Sequence, residues 1–214
     1  MTYRGIIYDL DGVICNTDEY HYEAWKSVSD EEGIYFDRVI NNRLRGVSRR
    51  ESLEIILERY EGEMSEEKKL EVLERKNGIY LELLEKMTAK DLSAEVKETL
   101  DLLRAKGLKQ AIGSSSRNAV TILNKLGLGD YFDAISDGSM IARSKPDPEV
   151  FLLAASMIGL EPKECLVVED AIAGAEAAQA GGMDCAAMGD AVSSEIPKYK
   201  LNSFSDLLDL FPNL

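Results

Sequence analysis

The sequence predicts an α/β fold, a parallel sheet with its helices and an all-helical insertion near the start, on three observations. Short apolar runs at Gly5-Ile6-Ile7-Tyr8, Leu108 to Gly113 and Cys165-Leu166-Val167-Val168 have the length and character of doubly buried strands. From Ala94 onward such runs alternate with helical periodicity, the pattern of βαβ units. Between Asp18 and Asp91 no strand pattern occurs, and charged helical segments follow one another.

In chain order, the first strand runs out at Asp9, and the hinges into and out of the helical insertion are expected near Cys15 to Thr17 and near Thr88 to Ser93. The reading divides the chain into a core of residues 1–15 and 92–214 and an insertion of residues 16–91. Within the insertion, Leu53, Ile56, Leu57 and Tyr60 form one apolar stripe. Leu70, Leu73, Tyr80, Leu81 and Leu84 form a second, in a helix that starts near Ser65 with Glu66 and Glu67 in its first turn. A helix through Val96, Leu100 and Leu103 stops at Gly107, and one through Val120, Leu123 and Leu126 stops at Gly127. Phe132 to Ile135 suggests a short strand. Asp147 is placed as an N-cap with Pro148 at the first helical position of a helix reaching Gly159. The alanine-rich stretch Ala171 to Ala180 is a helix ended by Gly181-Gly182, Asp184 to Met188 is a weak strand, and Ser203 to Phe211 is a closing helix.

A chain of 214 residues with 45% hydrophobic and 30% charged residues can bury a substantial core. A net charge of −14 disfavours nucleic acid and anionic membrane surfaces, whose binding starts with a basic face. A phosphorylated partner must then be a small molecule met by a local basic pocket. Cys15, Cys165 and Cys185 are odd in number and without a CxxC pair, so they read as inert thiols in a reducing compartment. No signal segment or membrane-length run is evident, and a cytoplasmic monomer is the expectation.

Strand ends in a parallel sheet lie along one edge, where ligands collect. Here those ends carry Asp9 with Asp11, then Ser114, Lys145, and Glu169 with Asp170. Each has an ordinary use alone: Asp-Gly as a surface turn, Ser114 as a cap, Lys145 as a solvated loop residue, Glu169-Asp170 as an acidic helix start. Together, four carboxylates cannot stay ionised without a cation, and an oxygen-only set suits Mg²⁺. With Mg²⁺, the Ser114 hydroxyl and the Lys145 ammonium around three phosphate oxygens, Asp9 is left to attack phosphorus in line. An EF-hand reading of Asp9-Leu10-Asp11-Gly12 fails for want of further oxygen ligands and a closing Glu.

Asp9-Leu10-Asp11-Gly12-Val13, Ser114, Lys145-Pro146 and Glu169-Asp170 resemble, in order and spacing, the four motifs of the haloacid dehalogenase (HAD) superfamily of phosphotransferases. The resemblance implies the Rossmann-like HAD fold, a nucleophilic Asp9, Asp11 as general acid and base, and Mg²⁺ held by Asp9, Asp11, Glu169 and Asp170. It also implies that the helical insertion is a mobile cap. Thr17-Asp18-Glu19-Tyr20-His21-Tyr22-Glu23-Ala24-Trp25, Arg45-Gly46-Val47-Ser48-Arg49 and Arg75-Lys76-Asn77 are further similar to the branch of the superfamily that isomerises hexose phosphates. That likeness implies that Thr17 and His21 steer Asp11 and that Arg49 holds the distal phosphate. Gly46, Val47, Ser48, Ser52, Lys76 and Trp25 then line the sugar site, and Ser116, Arg117 and Asn118 meet the sugar phosphate from the core side. Asn16 and Arg45 depart from the branch's usual Asp and Lys. From the residues alone, Trp25 and Tyr22 are open to two uses, insertion core or sugar stacking. A phosphatase with the same parts is the rival activity.

Overall fold

The computed structural model describes residues 3–212. Strand β1 (Gly5–Tyr8) leads into four helices, α1 (Asp18–Glu31), α2 (Arg38–Asn42), α3 (Arg49–Leu57) and α4 (Glu66–Leu84). The remainder alternates: α5 (Ala94–Ala105), β2 (Lys109–Gly113), α6 (Ala119–Lys125), β3 (Ala134–Ser136), α7 (Glu149–Met157), β4 (Cys165–Glu169), α8 (Ile172–Ala180), β5 (Asp184–Ala187) and β6 (Tyr199–Lys200). The six strands form one parallel sheet in the order β3-β2-β1-β4-β5-β6, so β1 is central, with Tyr8 opposite Ile112 of β2 and Val168 of β4.

Alternate residues of a strand face opposite sides of a sheet, and β1 divides accordingly. Ile6 and Tyr8 pack on one face with Leu100, Leu103, Ile122 and Leu123 of α5 and α6. Ile7 packs on the other with Val150 and Phe151 of α7 and Ala175 and Ala178 of α8. All three of these residues are wholly buried, and Ile6 and Ile7 each contribute about 1.5–3 kcal/mol on area grounds. Such a strand holds its end rigidly at the sheet edge.

The helices α1–α4 close around a third apolar cluster of Trp25, Val28, Phe36, Ile40, Leu53, Ile56, Val72 and Leu73. Their starts are capped: Asp37 Oδ1 accepts from Ile40 N–H at 2.8 Å, and Ser65 Oγ accepts from Lys68 N–H at 3.2 Å. Ser48 caps α3 in a reciprocal box with Glu51. Arg75 ties α4 to the end of α1 through Glu31 and Glu32, both at 2.9 Å.

Several expectations need correction. On α4 the buried stripe is Val72, Leu73, Lys76, Tyr80 and Leu84; Leu70 and Leu81 are exposed. Spacing rather than leucine identity sets the buried face, and Lys76 occupies the position between Leu73 and Tyr80. Pro148 rather than Asp147 holds the cap position of α7, although Asp147 Oδ1 still accepts from Glu149 N–H at 3.0 Å. The segment Phe204–Leu210 is a 3-10 helix, and β6 is an unforeseen two-residue strand beside β5. Cys15, Cys165 and Cys185 are free and buried. Among the described residues no helix is long and apolar enough to cross a membrane.

Candidate active site

Asp9 follows β1, and its N–H donates to Val168 O at 2.9 Å, extending the ladder by one residue and fixing the carboxylate beside the end of β4. Lys145 Nζ lies 2.5 Å from Asp9 Oδ1 and 2.5 Å from Glu169 Oε1, and neither Lys145 nor Glu169 has any exposed surface. Burial alone would lower the Lys145 pKa; the two carboxylates outweigh it and raise the value well above the ordinary lysine range. The second oxygen of Glu169 accepts from Ala171 N–H at 2.9 Å.

Asp9, Glu169 and Asp170 present carboxylate oxygens within 4.8 Å of one another. With all three carboxyls ionised, the Lys145 ammonium in direct contact would offset only one of their charges. Burial, then Glu169 and Asp9, push the Asp170 carboxyl upward, the electrostatic cost that a hard divalent cation removes. An oxygen-only donor set with no His or Cys suits Mg²⁺. Two glycines make the cluster possible. Gly12 has φ +89°, and a Cβ there would lie 2.1 Å from Asp170 Oδ2; a Cβ on Gly174 would lie 1.9 Å from Glu169. Asp11, expected as a fourth ligand, has its carboxylate outside this trio, where it accepts from the Thr17 hydroxyl. Burial, then Asp9, raise its pKa to about 6, against the lowering influence of Thr17.

Ser114 is buried, and its Oγ accepts from Ser116 N–H at 3.1 Å, which leaves the hydroxyl proton to donate. It stands five residues before α6 rather than at a helix start. Ser116 Oγ accepts in turn from Asn118 N–H at 3.1 Å, and Asn118 Nδ2 donates to Asn77 Oδ1 on α4 at 3.0 Å.

The sheet edge and the four-helix segment enclose a cavity of about 1160 Å³. Its walls include Asp9, Asp11, Thr17, His21, Trp25, Gly46, Val47, Ser48, Arg49, Ser52, Lys76, Ser114, Ser116, Arg117, Asn118 and Asp170, so the structure brings these residues together. Lys145 and Glu169 are not among the lining residues; Lys145 contacts Asp9, and Glu169 contacts Lys145. One placement differs from expectation. His21 is not directed at Asp11: its Nδ1 is 2.9 Å from Lys76 Nζ and its ring is 4.2 Å from that of Tyr80. The Ser48 and Ser52 hydroxyls are engaged in the start of α3, on Glu51 and on Ser48 O respectively. Trp25 is only 2% exposed, so it serves the insertion core and gives the cavity an edge. Tyr22 stacks on Phe36.

The electrostatics inside the cavity are uneven. Burial, then Arg49, lower the Lys76 pKa to about 7, with Asp11 acting in the opposite sense. Burial, then Lys76 and Arg49, hold His21 well below its ordinary value. Burial, then Arg117, lower Arg49. Among the described residues neither Arg49 nor Arg117 forms an ion pair, and both guanidiniums line the cavity. Sequence reasoning gave no role to Arg45, Asp18, Ser115, Asn77 or Gly174. Gly174 carried no usable signal, because a glycine among alanines in a helix reads only as a mild defect.

A model of the haloacid dehalogenase-like hydrolases matches residues 3–182. The β-phosphoglucomutase of Bacillus subtilis is 43% identical over 188 residues, covering 87% of this chain and 83% of that protein. The phosphorylated carbohydrates phosphatase of Thermotoga maritima is 33% identical, covering 85% and 82%, and the fructose-1-phosphate phosphatase of Escherichia coli is 31% identical, covering 85% and 94%. The crystal structure of a β-phosphoglucomutase from Clostridium difficile superposes with a TM-score of 0.89 at 35% identity, covering 96% of this chain and 93% of that one. With the fold, the strand-end carboxylates and these likenesses in agreement, the chain belongs to the haloacid dehalogenase-like hydrolase family.

Proposed function

We propose that the protein is a β-phosphoglucomutase, interconverting β-D-glucose 1-phosphate and β-D-glucose 6-phosphate through an aspartyl-phosphate enzyme and a β-glucose 1,6-bisphosphate intermediate. The observation that carries this reading is that Arg49 and Arg117, neither in an ion pair among the described residues, line the same cavity as Asp9. A bisphosphate needs two anion sites, and guanidinium is suited to the second. The relative at 43% identity supports the same reading.

Asp9 is assigned as nucleophile, holding the phosphoryl group as an acyl phosphate. Lys145 holds the Asp9 carboxylate from behind, the Ser114 hydroxyl is the donor assigned to the phosphoryl oxygens, and Asp9, Glu169 and Asp170 are the residues that would hold Mg²⁺. When bound, the ion offsets the charge of these carboxylates and of the phosphoryl oxygens. Asp11 takes the proton of the accepting sugar hydroxyl as its oxygen attacks phosphorus and the bond to Asp9 breaks. In the return transfer Asp11 gives that proton back to the leaving oxygen. Thr17 orients Asp11, and His21 acts on the site through Lys76. Residues 16–91 form the cap, which closes on the core of residues 1–15 and 92–214 to exclude water.

The test is a coupled assay with β-glucose 1-phosphate and a trace of bisphosphate, measuring glucose 6-phosphate beside inorganic phosphate. Isomerised product in large excess supports the mutase. Phosphate release at a comparable rate supports a sugar-phosphate phosphatase, the activity named for two of the relatives above.

A further inference from the structure

We propose that Arg45 and Asp190 form a latch that positions the helical segment over Asp9 and thereby selects a sugar hydroxyl over water as the phosphoryl acceptor. This deepens the phosphomutase reading and rests on it.

Arg45 precedes α3 in the helical segment, whereas Asp190 lies in the 3-10 turn Gly189–Ser193 directly after β5. Arg45 Nη1 is 2.6 Å from Asp190 Oδ2, and Nη2 is 3.2 Å from Asp18 Oδ2 on α1. Asp18 also accepts from Asn41 Nδ2 at 3.1 Å, so the guanidinium is held by its own segment while it reaches across to the core. A guanidinium spans two carboxylates with separate N–H groups; a lysine ammonium has a single nitrogen with which to do so. The adjoining residue completes the joint. Gly46 O accepts from Ser115 Oγ at 3.0 Å in the loop after β2. Gly46 has φ +76°, and a Cβ there would meet Ala171 Cβ, after β4, at 3.2 Å. Arg45-Gly46 therefore touches the loops that follow three different strands.

The latch is also wired to the chemistry. Ala191, next to Asp190, donates its N–H to Asp170 O at 2.8 Å, and Gly189 has φ +49° with its Cβ position 3.2 Å from Asp170 Cβ. A closed segment thus bears on the same short turn that braces Asp170. In productive transfer the Asp9 oxygen–phosphorus bond breaks as the sugar oxygen bonds phosphorus, the hydroxyl proton passing to Asp11. In the wasteful reaction a water oxygen takes the sugar's place, its proton goes to Asp11, and inorganic phosphate leaves. The two differ only in what the closed cavity admits.

Arg45 and Asp190 act through closure and are positioning residues. The experiment measures the ratio of inorganic phosphate to glucose 6-phosphate for wild type, D190N, D190E, R45A and the R45A/D190N double variant, with solution scattering of each in magnesium and phosphate. On the scale of partly exposed ion pairs, D190N and R45A should each raise the ratio about two- to fivefold. D190E should restore it, and the double variant should be no worse than R45A. Unchanged ratios, or additive effects of the two single variants, overturn the latch. If wild type releases phosphate alone, the mutase reading fails, and scattering then decides separately. Expansion of R45A and D190N relative to wild type upholds the latch; superimposable curves overturn it.

Discussion

Lys76 Nζ lies 2.9 Å from His21 Nδ1, a cation donor and a histidine joined inside the cavity wall with Lys76 only 2% exposed. The ammonium also sits 4.6 Å from the ring centroid of Tyr80 and 5.2 Å from that of Trp25. Aromatic faces and a neutral imidazole solvate it, with no carboxylate in direct contact, so the charged form is costly until an anion enters.

Replacing Lys76 by Met should therefore stabilise the ligand-free protein. The folded pKa of about 7 is depressed below 10.5, so the penalty is complete below pH 7, where both states hold the proton. It fades as pH rises from 7 to 10.5, where only the unfolded chain does. K76M should gain about 2–4 kcal/mol at pH 6 and much less near pH 10. Urea melts at the two pH values check this. In the same variant the KM for the phosphosugar should rise.

With Asp11 as the proposed general base, its carboxyl should set the acid limb of the rate profile. It must be ionised to accept a proton, so kcat/KM should fall as pH drops through about 6. The Thr17 hydroxyl favours the charged form, so T17V should move the limb upward by about one pH unit. D11N should lower kcat by about 10²–10⁴-fold. Steady-state kinetics between pH 5 and pH 8 distinguish the three proteins.

Gly174 tests the proposed metal site without replacing any carboxylate. By helix propensity alone, Ala in α8 should be favoured by about 1 kcal/mol. Here the added methyl would stand 1.9 Å from the Glu169 carboxyl. G174A should instead lose about 1–3 kcal/mol and weaken magnesium binding about tenfold or more. Calorimetric titration with the ion and thermal melts measure both.

Arg49 should matter to affinity more than to chemistry. R49A removes a half-buried cation from the cavity wall, where Arg117 acts on it electrostatically. It should raise the KM for the bisphosphate about 10- to 100-fold, with a smaller change in kcat. An equal loss in both would place Arg49 at the reacting phosphate instead.

The strand-end residues were legible because a buried parallel strand is an unbroken apolar run. Val168 is followed by Glu169 and Tyr8 by Asp9, and the polar switch marks the edge of the sheet. What escaped depends on contacts between segments distant in sequence. Periodicity cannot reveal that Lys76 takes a core position on α4 while Leu70 faces out, nor that His21 pairs with Lys76 rather than Asp11. The two-residue β6 is too short to carry a period, and its place depends on the neighbouring β5. Gly174 needed the position of Glu169 before its missing side chain acquired meaning.

Trp25 is the chain's sole tryptophan, and it lies almost fully enclosed beside Lys76 at the edge of the cavity. Indole emission responds to nearby charge, so the protein carries a native optical probe at one spot. Titrating unlabelled enzyme with sugar phosphates and following that emission would report occupancy directly, with no dye and no second fluorophore to subtract.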